Sequence, residues 1–435
     1  MCLLCNDIIP FGTVVRISCP TVKKIPYLPN AKELHLTGGS IIDIALSPSV
    51  EVLKIALCTK LEMIPVFPDL KSLYCYYCNS LKAIPALPKL SELVCVGCTS
   101  LTEIPKLPRS LSTLNCNNCT VLTAIRCTVY NRLECDGCSA LTSISDMKHL
   151  RFLSCYKCTS LQSIPYLPCV QNIDCRNCSA LTTIPSLPKL KTLWCSYCPS
   201  LVSLPEFPKL KNLDCVACFN LVSISSYPKL IYLDCESSAI DEIPICPVLH
   251  TLNCKNTPIT SIPLLPNLLL LDCANCTNLA RISDMPKLTS LNCYFTKITA
   301  VPYSFVLKWL NCSNSHVSSI PKLDKLEYLA CSGCKYLKTI ESDKLEKLLC
   351  SFCPSLTRIA KIPPITHCGN CTWFPLNNSD FEKNIALLSY LQITRRKLNS
   401  LRKLEKIAPE IIAIYYSPGC KGAYLAEKQF RNKIK

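Results

Sequence analysis

Glycine is scarce in this chain, with nine residues in 435. None stands in a phosphate loop or a nucleophile elbow, so the sequence offers no nucleotide or hydrolase site of those kinds. Five histidines, His35, His149, His250, His316 and His367, are scattered with no motif joining them. No run approaches the roughly 18 apolar residues of a membrane-spanning helix. Residues 1–12 lack the cationic stretch and long apolar run of an export signal. Catalysis and membrane insertion are therefore not expected. Without an export signal the 36 cysteines are expected to stay thiols in a reducing compartment, which makes the protein intracellular.

Acidic residues are also in deficit, 30 against 47 Lys and Arg, for a formal charge of +17. The imbalance is uneven: residues 373–435 hold 12 Lys or Arg against 5 Asp or Glu, a net +7.

Proline, by contrast, is abundant at 33 residues, too many for regular helix. The reason is internal repetition. Leu70-x-x-Leu73-x-Cys75-x-x-Cys78-x-x-Leu81-x-x-Ile84-Pro85-x-Leu87-Pro88 recurs from Leu90 through Leu345, with weaker copies from Val50, Ala31 and Gly12. Eighteen copies follow at a period of 19 to 21 residues. Counting the first Leu as one, position six is Cys in fifteen copies. This period and the L-x-x-L-x-L signature belong to the leucine-rich repeat.

A covariation within the chain supports that register. Where position nine is Cys (Cys58, Cys78, Cys98, Cys276, Cys334), the next apolar residue lies three places on; where it is Ser or Thr (Ser238, Thr257, Thr296, Ser315), it lies two places on. A small polar group in a turn must bond nearby backbone, and its reach sets the number of residues the turn needs. The expected fold is a β-rich solenoid, a leucine-rich repeat horseshoe. Leu-x-x-Leu-x-Cys strands form a parallel sheet on its concave face, and Ile-Pro-x-Leu-Pro return segments run extended, near polyproline II. Residues 1–11 form an N-terminal cap segment, 12–372 the solenoid, and 373–435 a basic helical cap.

The Leu-Pro-x-Leu-Pro return resembles that of short-repeat effectors from enteric bacterial pathogens. The cysteine-bearing version is similar to leucine-rich repeat proteins of giant DNA viruses of amoebae. In that group the array is followed by a Trp-Asn-Phe-Glu-Asn-Ile-like segment and a basic helical tail. Trp373, Asn377, Phe381, Glu382, Asn384 and Ile385 match it here, followed by Gln392, Arg395 and Arg396, with Ile414 to Gly419 also fitting. The resemblance implies a viral protein acting in the host cytoplasm on host processes. Some bacterial relatives carry a ubiquitin ligase with a catalytic Cys-x-Asp. Here Cys420 is followed by Lys421 and Gly422, which leaves at most a ligase substrate adaptor.

Cys-x-x-Cys pairs stand at Cys2/Cys5, in eleven repeats and at Cys368/Cys371. Zinc needs four ligands converging on one point, whereas a solenoid spreads equivalent cysteines into parallel ladders one strand spacing apart. Buried thiols that act as small hydrophobes are the reading adopted, with no metal or cofactor. Cys368 and Cys371, beside His367, fall where the register slips. They are either a metal site or a degenerate nineteenth repeat.

With positions four and six inward, position five faces out on the sheet. That row reads Asp174, Trp194, Asp214, Asp234, Asn253, Asp272, Asn292 and Asn311, with Phe152, Tyr156, Tyr232, Tyr294 and Trp309 beside it at positions three and seven. Tyr74, Tyr76 and Tyr77 form a second aromatic group. Aromatics in a polar field mark recognition surfaces; the same Asp and Asn could equally serve neighbouring strands and solubility. As a binding surface, the row suits a basic or polar polypeptide met by a monomer. Its acidic members oppose nucleic acid.

In the tail, Ser379-Asp380-Phe381-Glu382 has capping-box spacing, and Phe381, Ile385 and Leu388 follow at helical spacing. Trp373, Phe374 and Phe381 are candidates to cover the last repeat. Arg395, Arg396, Lys397, Arg402, Lys403 and Lys406 make this helix basic. That opens an alternative function, contact with nucleic acid or an anionic membrane.

Overall fold

The computed structural model describes residues 12–369 and 371. The N-terminal segment with Cys2 and Cys5, and the helical cap with Trp373, Phe374, Phe381 and the basic residues, lie outside the described residues. The chain divides into two compact units, Met1–Ile240 and Asp241–Lys435.

Each unit is a parallel β solenoid. In the first, strands from Val14–Ser18 to Tyr232–Asp234 stack in sequence order. In the second, they run from Thr251–Asn253 to Ile365–His367. Register is uniform, position four on position four: Leu193 lies on Leu213 and Leu271 on Leu291. No helix occurs among the described residues.

The repeat from Leu190 shows why this sequence takes this path. Leu190, Leu193, Cys195, Cys198, Leu201 and Phe207 are fully buried, and Leu204 is 5 % exposed. Seven inward residues in one twenty-residue coil build a core that no coil could close alone. Turns bring each segment round: the Leu201 N–H donates to Cys198 O (3.1 Å) and the Leu190 N–H to Leu187 O (3.2 Å). Pro205 and Pro208 lack an N–H and stand in the return, where no strand donor is needed.

The return segments are extended, as the prolines require, and they also pair. Ser143–Ile144 lies parallel to Ala124–Ile125, and Ser319–Ile320, Thr339–Ile340 and Arg358–Ile359 form a three-stranded ladder. Elsewhere single bridges such as Ser163 with Thr183 do the same. These coils are thus bonded to their neighbours on two sides.

The residue at position nine accounts for the two turn lengths. A position-nine thiol donates back to the position-six carbonyl of the preceding repeat: Cys198 to Cys175 O (3.1 Å), Cys178 to Cys155 O (3.0 Å), Cys276 to Cys254 O (3.0 Å). A hydroxyl at position nine turns instead to its own repeat: Ser238 to Cys235 O (2.7 Å), Thr257 to Cys254 O (2.6 Å), Thr296 to Cys293 O (2.8 Å). The shorter reach draws the turn in by one residue.

Cys368 and Cys371 prove to be positions six and nine of a nineteenth repeat. Strand Ile365–His367 pairs with Lys347–Leu349, and Cys371 donates to Cys350 O (2.8 Å) like any position-nine thiol. Cys368 corrects the expectation that every cysteine stays a thiol, because it is bonded to Cys350 in a disulfide. Adjacent rungs set their Cα atoms 4.8 Å apart, within the range a disulfide spans. With Cys368 so engaged and His367 pointing outward, the Cys368/Cys371 metal reading loses its ligands. Among the described residues no group of three or more His, Cys, Asp or Glu is placed to hold a metal ion, and no helix is long and apolar enough to cross a membrane.

Candidate interaction surface on the sheet

Position five faces outward, as the alternation requires: Asp174, Trp194, Asp214, Asp234, Asn253, Asp272, Asn292 and Asn311 are all half-buried. Tyr232 is 36 % exposed and Trp309 half-buried. These residues form one row in each unit, from Asp174 to Asp234 in the first and from Asn253 to Asn311 in the second.

Most of the row has a structural task. Each Asp or Asn accepts the N–H two residues on, at the strand exit: Asp174 from Arg176 (3.2 Å), Asp214 from Val216 (3.3 Å), Asp234 from Glu236 (3.2 Å) and Asp272 from Ala274 (3.0 Å). Asn253, Asn292 and Asn311 accept from Lys255, Tyr294 and Ser313 in the same way. This Asx turn is why short acids and amides recur here, whether or not a partner binds.

The turn has a second requirement. In every repeat from Val50 to Leu345, position eight is left-handed, with φ between 55° and 73°. Glycine or asparagine is natural there, and Gly97, Gly137, Gly333 and five asparagines comply. Lys157, Ala217, Ser237, Leu57, Tyr77, Tyr197, Phe295 and Phe352 do not; the last five accept the strain while about half exposed. The ring of Tyr77 lies over Gly97, where a Cβ would meet it at 2.6 Å. The recurrence of Asn and Gly at this position was a legible signal in the sequence.

Side-chain bonds tie neighbouring repeats across the face. Asn292 Nδ2 donates to Asp272 Oδ2 (3.1 Å), Asn115 Nδ2 to Glu134 (2.7 Å), and the Ser196 hydroxyl to Asp214. Arg176 grips Asp174 through Nε (2.9 Å) and Nη2 (2.6 Å) while lying over Tyr156. The Tyr232 hydroxyl donates to Asp234 Oδ2 (3.1 Å), and burial, reinforced by the Asp234 charge, pushes the phenol up to about 12. Asp136, at position seven, accepts from the Ser154 hydroxyl (2.5 Å) and the Tyr156 N–H (2.8 Å). Burial nevertheless raises its carboxyl above the usual range. At Tyr74, burial and the bond to Glu92 (2.5 Å) push the phenol up to about 12.

Position three holds what position-five reasoning missed. Trp309 stacks on Tyr328 of the next repeat, centroids 5.4 Å apart and planes within 7°, and Lys347 Nζ lies over the Tyr328 ring, 5.5 Å from its centroid. Arg132 covers Phe152 at 3.8 Å while its Nε donates to Glu134. Tyr328, Lys347 and Arg132 were readable as outward residues, but not as partners. That depends on the distance between rungs.

The position-six thiols Cys75, Cys215 and Cys273 lie fully buried beneath this face. Burial pushes Cys75, Cys215 and Cys273 well above the ordinary thiol range, so they lack the thiolate that nucleophilic or redox chemistry uses.

No protein-family model matches the chain, and no curated relative matches its sequence. Similar solved structures are leucine-rich repeat proteins. YopM from Yersinia enterocolitica is 16% identical, with 84% of this chain and 92% of that chain covered and a TM-score of 0.39. A leucine-rich repeat protein of Leptospira interrogans is 17% identical over 76% and 91%, with a TM-score of 0.35. One from Bacteroides ovatus is 15% identical over 73% and 82%, with a TM-score of 0.31.

Proposed function

We propose that the chain is a non-catalytic scaffold that binds a polypeptide partner on the outward face of its sheet, and that it acts on host processes within the host cytoplasm. The observation that carries the reading is the Trp309–Tyr328 stack, which leaves a tryptophan half-buried on an outward face. Rings held rigid beside carboxylates and amides supply large contact area at little entropic cost, the composition of interface centres. Asp214 and Asp234 in the first unit and Asp272 in the second give each row a negative bias that suits a basic or polar polypeptide. Contact of nucleic acid or an anionic membrane with the basic residues of 395–406 is the competing reading.

A photocrosslinker at Thr251, on the sheet face, and another at Lys82, on the return side, test it in expressing cells. A polypeptide adduct from position 251 alone, lost on replacing Asp272 by Lys, is the expected result. Adducts from position 82 alone, or with nucleic acid, overturn the reading.

A further inference from the structure

Three of the rings at position three, Phe152, Trp309 and Tyr328, are covered by a neighbouring repeat. Phe152 has Arg132 on the preceding rung; Tyr328 has Trp309 on one side and Lys347 on the other. Among the described residues, the ring contact Trp309 makes is with Tyr328 on the following rung. On the preceding rung its register partner is Ser290, and beyond that Leu270. Neither can offer a ring or a cation.

We propose that this slot receives an arginine side chain of the polypeptide partner, its guanidinium flat on the open face of Trp309 above Ser290. The proposal rests on the sheet face being the partner surface and specifies what that surface recognises. The chain itself displays the geometry. Arg132 at position three stacks on Phe152 of the following repeat at 3.8 Å and donates from Nε to Glu134 at position five. In the second unit, Ser290 stands where Arg132 does, Trp309 where Phe152 does, and Asn292 where Glu134 does. The slot differs from the Arg132 arrangement in lacking the cation and in holding the Asn292 amide where Glu134 offers a carboxylate.

Charge and shape select the occupant. Asn292 is tied to the Asp272 carboxylate (3.1 Å), so acceptors flank the slot and a negative charge lies one rung away. A guanidinium satisfies both, being planar against an indole face and a fork of donors toward oxygens. Lysine carries the charge but cannot stack as a plane. A nucleobase can stack, but its phosphates would run beside Asp272.

The chain has three tryptophans, so in a Trp194→Phe, Trp373→Phe background Trp309 is the sole indole fluorophore. A blocked Gly-Arg-Gly peptide should change its emission saturably. The citrulline counterpart, isosteric but uncharged, should bind about tenfold more weakly, and the lysine peptide and a single-stranded oligonucleotide more weakly than arginine. Ser290→Arg, which would fill the slot as Arg132 does, should abolish the arginine response without lowering the thermal midpoint. Equal binding of arginine and citrulline peptides, stronger binding of the oligonucleotide, or an unchanged response in Ser290→Arg overturns the proposal. The peptide comparison needs no change at Ser290, so it stands if that variant folds poorly. A silent titration alongside intact crosslinking at position 251 removes the arginine slot alone; loss of crosslinking removes the wider reading.

Discussion

Serine in place of Cys198 tests the explanation of the two turn lengths. Cys198 is fully buried, and its thiol reaches Cys175 O in the preceding repeat at 3.1 Å. A C–O bond is shorter than C–S, whereas an O–H···O bond needs about 2.5–3.0 Å, so the new hydroxyl falls short of the carbonyl. A buried donor without a partner costs about 1–3 kcal/mol, and the smaller side chain adds a void. The expected loss for Cys198→Ser is about 2–3 kcal/mol. Cys198→Ala leaves the void but no unsatisfied donor and should lose only about 1 kcal/mol. Deleting Ser200 as well turns Cys198-Pro199-Ser200-Leu201 into Ser-Pro-Leu, the arrangement of Thr257-Pro258-Ile259, where the Thr257 hydroxyl bonds Cys254 O in its own repeat at 2.6 Å. The deletion should therefore rescue the serine variant by about 1–2 kcal/mol while damaging the parent, a clear coupling in a double-mutant cycle. A long repeat array need not unfold in one step, so the assay is native-state amide exchange. The reporters are the Cys195 and Tyr197 N–H groups, which bond Asp214 O (2.8 Å) and Val216 O (2.7 Å). A 2 kcal/mol loss speeds their exchange about thirtyfold. Exchange in Cys198→Ser as slow as in the parent, or strictly additive effects of serine and deletion, would refute the reasoning.

Other outcomes follow from the same contacts. Cys169 is the one described free cysteine that is not buried, so a Cys2→Ser, Cys5→Ser, Cys420→Ser variant should show one fast thiol with an aromatic disulfide reagent. Several fast thiols would contradict the buried ladders. Phe295→Gly and Tyr197→Asn relieve left-handed strain at φ 57° and 58° and should each stabilise locally by up to about 1 kcal/mol, whereas Asn314→Val should cost about 1–2 kcal/mol; exchange rates of the flanking amides decide. Asp136 has its folded-state carboxyl raised by burial, so the folded state holds its proton more tightly than the unfolded one. Stability from this group is greatest below the ordinary Asp range and falls as pH rises through the raised value. Asp136→Asn, which keeps the acceptor, should remove that slope and stabilise the protein at neutral pH, as measured by thermal midpoints across pH. Asp214→Asn keeps the turn bond and should leave stability within about 0.5 kcal/mol, while Asp214→Ala should lose about 1 kcal/mol of turn stability.

The row at position five and its neighbours show how far a sequence can carry a site. That Asp214 and Asn292 face outward followed from alternation, a property of one strand. That their first oxygen serves the strand exit follows from the left-handed residue at position eight, whose Asn and Gly signal was present but unread. That Trp309 has an open face could not be read at all, because it depends on Tyr328 and Ser290 in other repeats.

Period, inward positions, the coupling of residue type to turn length and the extended return were determined by the sequence, because each arises within about twenty residues where spacing and side-chain chemistry act directly. Which carbonyl each thiol finds, which rings stack and that Cys350 meets Cys368 were decided by the stacking of coils. Those contacts run between coils, and a one-dimensional pattern carries neither the separation nor the tilt that sets them.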